Sequence, residues 1–182
     1  MTELTQERLQ QLFTYDADEG VLYWNRRPLS DFATARSHAL WNTKHAGKAA
    51  GSRSKAGYVS VGIGYRHYLV HRLIWVLVHG SWPDGDIDHV DGVPSNNRIG
   101  NLRCVPHRIN LRNQKRPKTN KSGIVGVAQN RKTGRWLAKI YINGKTFHLG
   151  SFVFAIDAIK ARQRAERKYG FHENHGRIAL TE

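Results

Sequence analysis

The amino-acid sequence predicts an α+β fold in two parts, and three observations lead to this prediction. Its strands are short and come in hairpins, helical patterns alternate with the strand groups, and a basic polar segment divides the chain. The chain has 182 residues, 40% of them hydrophobic, which is enough for one large or two small domains with real cores. Lysine and arginine number 29 against 14 acidic residues, a formal net charge of +15. This composition excludes wholesale disorder and indicates a polyanionic partner.

The first part, residues 1–114, is predicted to combine helices with two hairpins. An amphipathic helix at 6–13 is followed by a turn and an apolar strand at 21–24. Residues 25–45 have no clear period and are predicted as loop, with some helix around 31–41. The remaining elements are a hairpin within 57–70, an apolar helix at 70–79 ended by Gly80, a hairpin of strands 86–90 and 101–105, and a helix from Pro106 to about 114.

The second part is predicted to be a three-stranded sheet followed by one helix. Residues 115–122 have no apolar side chain except Pro117, so they are predicted as a basic linker, with a domain at 123–176 and a tail at 177–182. Strands are predicted at 124–128, 135–142 and 145–151, the last two joined by the hairpin signal Asn143-Gly144. The helix at 153–169 has a stripe of small residues facing the sheet, namely Ala158, Ala161 and Ala165.

Several functional classes are excluded by simple features of the sequence. The single cysteine, Cys104, has no disulfide partner in the chain and cannot build a zinc site that needs two or four cysteines. The first eleven residues are polar, and the longest apolar run, 73–78, is far shorter than a membrane span. We therefore expect a soluble cytoplasmic protein without a membrane partner. Monomer and homodimer both remain open.

The positive charge is concentrated in one stretch of the chain. Residues 92–156 contain thirteen lysines and arginines and no aspartate or glutamate. A basic run is often a solvated face, but a single-sign run of this length repels itself unless a polyanion is bound. The distribution favours nucleic acid as the partner.

Four residues around the second hairpin have the chemistry of phosphodiester hydrolysis. Asp88 and Asn110 offer hard oxygen ligands, which suit Mg²⁺ or Mn²⁺ rather than zinc. His89 can accept a proton near neutral pH, and Asn101 could hold its imidazole by a hydrogen bond. Taken singly, each residue type is more often structural than catalytic. Together they predict a base for water beside one cation site per chain.

The segment IDHVDGVPSNNRIGNLRCVPHRINLRNQ, residues 87–114, resembles the HNH nuclease motif of phage and intron-encoded homing endonucleases in its H-N-N variant. The resemblance implies a ββα-metal core at about 70–114, with His89 as general base, Asp88 and Asn110 as metal ligands and Asn101 orienting the base. Upstream segments such as YDADEGVLYWNRRP and HRLIWVLVHGSWPDGDIDH extend it over most of residues 15–113. His107 is a reserve ligand, and His71 is more typical of a hydrogen-bonded core histidine than of a DNA contact.

The segment SGIVGVAQNRKTGRWLAKIYINGKTFHLGSF, residues 122–152, resembles an Apetala-type (ethylene-response-factor-like) DNA-binding domain. Strand alternation independently puts Trp136, Ala138 and Ile140 on the face that packs on the helix. The opposite face, with Lys139 and Tyr141 on one strand and Thr146 and His148 on the next, is expected to enter the DNA major groove. Ala128 stands where such domains have an arginine.

These observations predict an enzyme: a divalent-metal-dependent endonuclease of homing or free-standing phage type that nicks or cleaves double-stranded DNA at a preferred site. The alternatives are a non-cleaving DNA-binding regulator with a vestigial nuclease site and, less favoured because it leaves the four motif residues unexplained, an RNA-binding protein. The expected DNA contacts are Arg98, Arg103, Arg108, Arg112, Lys115, Arg116, Lys118, Lys121, Arg131, Arg135, Lys139, Tyr141, Lys145, Thr146 and His148.

Overall fold

The computed structural model describes residues 4–110, 120, 122–172 and 175–176. It confirms the α+β class, with small sheets in which each strand pairing among the described residues is antiparallel. The chain forms two compact units, residues 1–105 and 106–182. The predicted linker at 115–122 lies outside the described residues except at 120 and 122, so the predicted domain boundaries stay predictions.

The first unit holds three helices and seven strands in the part that is described. They are α1 (Gln6–Leu12), β1 (Phe13–Asp16), β2 (Val21–Trp24), α2 (Ala35–His45), β3 (Ser52–Arg53), β4 (Val59–Ile63), β5 (Arg66–Leu69), α3 (Val70–His79), β6 (Asp86–His89) and β7 (Leu102–Val105). The helices at α1 and α3 and both predicted hairpins are confirmed. A 3-10 turn at Leu29–Asp31 and α2 occupy the region that the sequence left mostly as loop.

The N-terminal hairpin β1–β2 was only half predicted, because the first strand begins directly where α1 ends. Phe13 was assigned to the helix, but its backbone is extended and its ring packs on Trp24, 4.4 Å between ring centroids. Thr5 caps α1 by accepting a hydrogen bond from the Arg8 backbone N–H. The hairpin covers the apolar side of α1, where Leu9 and Leu12 are buried.

The core of the first unit is built around the apolar helix α3, whose Leu73 and Ile74 are fully buried. The sheet β3-β4-β5 contributes Val61, and the hairpin β6–β7 contributes Ile87 and Leu102. Burying these side chains stabilises the unit by about 1.5–3 kcal/mol each before the entropy cost of ordering them. The hairpin that carries the candidate catalytic residues is therefore anchored on both strands to this core.

The second unit contains α4 (His107–Asn110), β8 (Val127–Gln129), β9 (Trp136–Ile142), β10 (Lys145–Phe152) and α5 (Ala155–Lys168). The strands form one sheet in the order β10-β9-β8. The predicted hairpin between β9 and β10 is confirmed, with both Asn143 and Gly144 in the left-handed region, as a type I′ turn requires. The first strand begins at Val127, three residues later than predicted. Of the predicted helix 106–114, the described residues contain only the first turn.

Helix α5 packs on the face of the sheet that the alternation predicted. Ala138 and Ile140 are buried there, against the small side chains of Ala158 and Ala165. Arg162, which the sequence did not single out, is also buried in α5. Its guanidinium donates to Glu166 and to the Lys139 carbonyl. No helix in the described ranges has the length and apolar character to cross a membrane.

Candidate active site

The hairpin β6–β7 presents Asp88 and His89 at the end of its first strand. The two strands pair so that Asp88 lies opposite Arg103 and His89 opposite Leu102. Neighbouring strand residues point to opposite faces, yet both side chains are buried, with 6% and 4% of their surface exposed. Two buried titratable side chains in sequence are unusual for a small hairpin and mark this strand end as a functional-site candidate.

The imidazole of His89 is held by Asn97, a residue in the loop that joins the two strands. His89 Nε2 lies 3.0 Å from Asn97 Oδ1, and Asn97 is almost fully buried. An amide oxygen only accepts hydrogen bonds, so Nε2 carries the proton of the neutral ring. The lone pair is then on Nδ1, which is the nitrogen able to accept a proton from water.

Asn101 was predicted to orient His89, and the structure gives that hydrogen bond to Asn97 instead. The Asn101 side chain donates to the Asp91 carboxylate at 3.0 Å and to the Asn96 carbonyl at 2.8 Å, and it accepts from the Asp91 N–H. Asn101 therefore closes the base of the loop. Its effect on His89 passes through the loop backbone that carries Asn97.

Asp91 is the centre of this loop. Its carboxylate accepts hydrogen bonds from the Val93 N–H at 2.8 Å and from the side chains of Asn96 and Asn101. Burial acts to raise the pKa of Asp91, but these hydrogen bonds outweigh it and the pKa is lowered. The ionised carboxylate thus gives the loop a fixed shape at neutral pH.

The N-terminal hairpin supports the same loop from outside. The Tyr15 hydroxyl donates to the Asn97 carbonyl and accepts from the Ile99 N–H, each at 3.0 Å. Gly20 packs against the backbone of Asn97 and Arg98, where a Cβ atom would lie 2.5 Å from the Arg98 nitrogen. The extension that precedes the candidate site is therefore part of the machinery that holds it.

Two aromatic rings, those of His71 and Tyr58, lie beside His89. Its ring lies edge-on to His71 with centroids 5.1 Å apart, and the Tyr58 centroid is 6.0 Å away. Burial lowers the pKa of His89, although the Asn97 hydrogen bond and the charges of Asp91 and Asp88 act in the opposite direction. The ring is therefore neutral, and competent as a base, at neutral pH.

Asp88 forms a salt bridge with its cross-strand neighbour. Arg103 donates from Nε at 2.9 Å and from a terminal nitrogen at 2.7 Å, both to Asp88 Oδ2. Arg103 was predicted to contact DNA, and in this structure its guanidinium neutralises the carboxylate predicted to bind metal. Among the described residues, no three His, Cys, Asp or Glu side chains are grouped to hold a metal ion.

Comparison with known proteins identifies the region around this hairpin. A family model described as HNH endonuclease matches residues 68–112. Protein 3.8 of Escherichia phage T7 is 34% identical over 82 residues, covering 44% of this chain and 68% of Protein 3.8. No solved structure matches significantly. The chain belongs to the same family as Protein 3.8. Its residues 68–112 are an HNH endonuclease domain.

The HNH endonuclease domain contains the site residues described above and reaches α4. Asn110, the second predicted metal ligand, is the last described residue of α4 and belongs to the second unit, so its role stays a prediction. His107 begins the same helix with an exposed side chain. Of the predicted DNA contacts, Arg112, Lys115, Arg116, Lys118 and Lys121 lie outside the described residues, and the Arg108 side chain does so too.

Four of the predicted DNA contacts of the second unit lie together on one exposed face of the sheet. Tyr141 pairs with Thr146 and Lys139 with His148 across β9 and β10, so the four side chains are neighbours on the sheet face opposite α5. All four are exposed, Tyr141 by 62%. Arg131 and Lys145 are also exposed, and Arg135 donates to the Ser151 backbone and side chain. We refer to Lys139, Tyr141, Thr146 and His148 as the sheet face.

Sequence reasoning missed the role of Asn97 and did not foresee the contacts of Arg98. Asn97 is one of three loop asparagines, and only the fold of the loop decides which of them faces His89. Arg98 was expected to contact DNA, and its side chain donates to the Asp18 carbonyl in the turn between β1 and β2 and to the Asn96 side chain in the loop. The Asn96-Asn97 pair was the available signal, since asparagines in tight loops bond to neighbouring groups.

Proposed function

We propose that this protein is a divalent-metal-dependent endonuclease that hydrolyses phosphodiester bonds of double-stranded DNA. The proposal assigns a specific chemistry to the HNH endonuclease domain at residues 68–112. The observation that carries it is the buried His89 imidazole, fixed by Asn97 in the tautomer that leaves Nδ1 unprotonated. A general base near neutral pH needs a fixed orientation and an unprotonated nitrogen.

Different residues of the chain have different roles in the hydrolysis. Nδ1 of His89 takes the proton of the attacking water, and the Asn97 amide keeps the ring in place as it becomes charged. Asp88 and Asn110 would hold the cation, Mg²⁺ or Mn²⁺, whose role is to neutralise charge on the phosphate and the leaving oxygen. A carboxylate and an amide oxygen fit such an ion, which keeps several waters and needs few protein ligands.

The second unit is proposed to bind the DNA as an Apetala-type domain. Three features support this role: a three-stranded sheet packed on one helix, a sheet face rich in hydrogen-bonding and basic groups, and no acidic residue on the chain between 92 and 156. Lysine supplies phosphate attraction, while tyrosine, threonine and histidine can reach base edges. We propose that this face gives the enzyme its preferred site.

The experiment that tests the proposal is cleavage of supercoiled plasmid in Mg²⁺ or Mn²⁺. The wild-type protein is expected to relax the plasmid, His89→Ala to be slower by about 1000-fold, and excess EDTA to stop the reaction. A gel-shift assay in Ca²⁺ checks that His89→Ala binds the same DNA as tightly as the wild type. Equal binding by the two proteins with no cleavage by either, on any duplex tested, would refute the proposal.

A second candidate function is a DNA-binding regulator whose nuclease site is vestigial. The salt bridge between Arg103 and Asp88 favours it, because the guanidinium pairs with the carboxylate that a cation would need. Replacing Arg103 by alanine separates the two functions. A working enzyme should reach half-maximal cleavage at a lower Mg²⁺ concentration once the competitor is gone, while a regulator should remain inert. Arg26→Ala, an exposed arginine of the same unit, is the control.

A further inference from the structure

His71, on the buried side of α3, has an unexplained polar atom. The residue is 4% exposed, and its Nδ1 is buried without a hydrogen-bond partner among the described residues. Leaving such an atom unpaired costs about 1–3 kcal/mol. The hydrogen-bonded core histidine that the sequence favoured is therefore not what the structure contains. A phenylalanine of similar size would fill this position without the cost.

The neighbours of His71 place it in the nuclease site. Its ring meets the His89 ring edge-on, at 90° and 5.1 Å between centroids, and the Tyr58 centroid lies 5.7 Å away. Three separate elements thus bring these rings together: α3, the end of β6 and the loop before β4. Position 71 also lies inside the HNH endonuclease domain.

The chemistry of His71 differs from that of His89. Burial, reinforced by the nearby His89 and Arg72, lowers the pKa of His71 to about 3, so the ring is neutral at any working pH. A neutral imidazole has one N–H. Nδ1 is buried without a partner and Nε2 is not, so Nε2 is the nitrogen from which His71 can donate to a ligand. His71 is therefore a permanent, uncharged hydrogen-bond donor beside the base.

We propose that His71 donates a hydrogen bond from Nε2 to a non-bridging oxygen of the DNA phosphate that is attacked at His89, an inference that rests on the proposed function. An oxygen bound to a ring nitrogen lies about 4 Å from the ring centroid. Two rings 5.1 Å apart can accordingly bind a phosphate oxygen and the attacking water at once. Such a donor stabilises the charge that develops on the phosphate in the transition state.

The first test is His71→Phe in the full-length protein, with thermal unfolding, DNA affinity and single-turnover cleavage measured on the same sample. The variant is expected to be as stable as the wild type or more stable, to bind DNA within threefold, and to cleave about 100-fold more slowly. His71→Gln keeps a donor and should recover part of the rate. His79→Phe makes the same change at the other end of α3, where the ring stacks on Trp75, and should cleave normally. Cleavage by His71→Phe at the wild-type rate would overturn the proposal.

The second test does not depend on cleavage. Duplex DNA is added to ¹⁵N-histidine-labelled protein in Ca²⁺, and the ring-nitrogen resonances of His71 are followed, assigned with His71→Phe. A shift of Nε2 on DNA binding is expected from the new hydrogen bond. An unchanged His71 signal, in a complex that shifts His89, would refute the inference. If the wild-type protein binds DNA and shifts His71 but never cleaves, the proposed function fails and the contact stands.

Discussion

The loop at residues 90–101 and the sheet face of the second unit use polar residues in opposite ways. In the loop, Asn97 is buried, and Asp91 and Asn101 are tied to each other and to the backbone by several hydrogen bonds. On the sheet face, Lys139 and Tyr141 are exposed on a regular strand pair. The polar groups of the loop hold one geometry, whereas those of the sheet face are open to solvent.

Under the proposed function, this difference assigns the chemical step to the residues held by the loop and DNA binding to the sheet face. A general base must be held within a fraction of an ångström, which requires neighbours that are themselves fixed. Contacts to DNA can be made by mobile side chains on a rigid sheet, because the partner supplies the counter-charge. Substitutions in the loop should therefore change the rate of cleavage, and substitutions on the sheet face should change affinity. Four predictions follow this division, from the largest effect to the smallest.

Asn97→Ala should have the largest effect of these four, a fall of about 100-fold in the single-turnover cleavage rate. The substitution removes the acceptor that fixes the His89 tautomer, while the DNA-binding surface is unchanged. Asn42→Ala is the matched control. Asn42 is also buried and makes two hydrogen bonds, to the backbone of Arg27, but it lies on α2. Replacing Asn42 should lower the stability of the protein without changing its cleavage rate. Similar cleavage rates for the two variants would therefore contradict the role of Asn97.

Gly20→Ala should destabilise the first unit by about 2 kcal/mol or more and slow cleavage. Its φ of +74° is unfavourable for alanine, and the new Cβ would press on the backbone of Asn97 and Arg98. Gly47→Ala provides the comparison, since φ is +76° there and nothing lies within 4 Å of the new atom. Denaturant unfolding measures both. Equal losses of stability would mean that the N-terminal hairpin does not support the loop.

Lys139→Ala should weaken DNA binding by about three- to tenfold and reduce the slope of log affinity against log salt by about one, with the cleavage rate at saturation unchanged. Lys160→Ala removes the same charge from an exposed position on α5 and should have a smaller effect. Fluorescence anisotropy over a salt series measures both. Slower cleavage by Lys139→Ala at saturating protein would show that the sheet face also contributes to the chemical step.

The smallest predicted effect is that of mild acid on the cleavage rate. Because burial lowers the pKa of His89, the ring should be half-protonated only at a pH below 6.5, the value of an ordinary histidine. Between pH 7.5 and 6.0 the rate should therefore fall by less than the roughly fourfold loss that an ordinary histidine would give. The unfolded chain takes up this proton first, so stability should decline as the pH falls below 6.5. A rate midpoint at or above pH 6.5 would contradict the burial argument.

The elements with strong periodic signals were predictable from the sequence. The apolar helix α3 and the β9–β10 hairpin with its Asn143-Gly144 turn were both predicted, because their patterns are set within a few residues. Strand β1 was missed, since four residues between a helix and a turn show no period. The start of β8 was misplaced for a similar reason: the glycines at 123 and 126 take left-handed conformations that end the alternation.

Candidate site residues could be named from the sequence, but their contacts could not be predicted from it. Asp88 and His89 were identified from residue type and spacing, and their burial at the end of β6 agrees with a functional role. The partner of His89 depends on how the loop folds, and the pairing of Asp88 with Arg103 depends on strand register. The burial of Arg162 could not be predicted either, because a charged residue on a helix is usually exposed.

The most direct test of the account measures rate and affinity separately on one duplex. Single-turnover cleavage at saturating protein in Mg²⁺, and binding in Ca²⁺, would be determined for wild type, His89→Ala and the double variant Lys139→Ala/Tyr141→Ala. We predict that His89→Ala loses about 1000-fold in rate and binds normally, while the double variant binds at least tenfold more weakly and cleaves normally once bound. Cleavage by His89→Ala at the wild-type rate would contradict it.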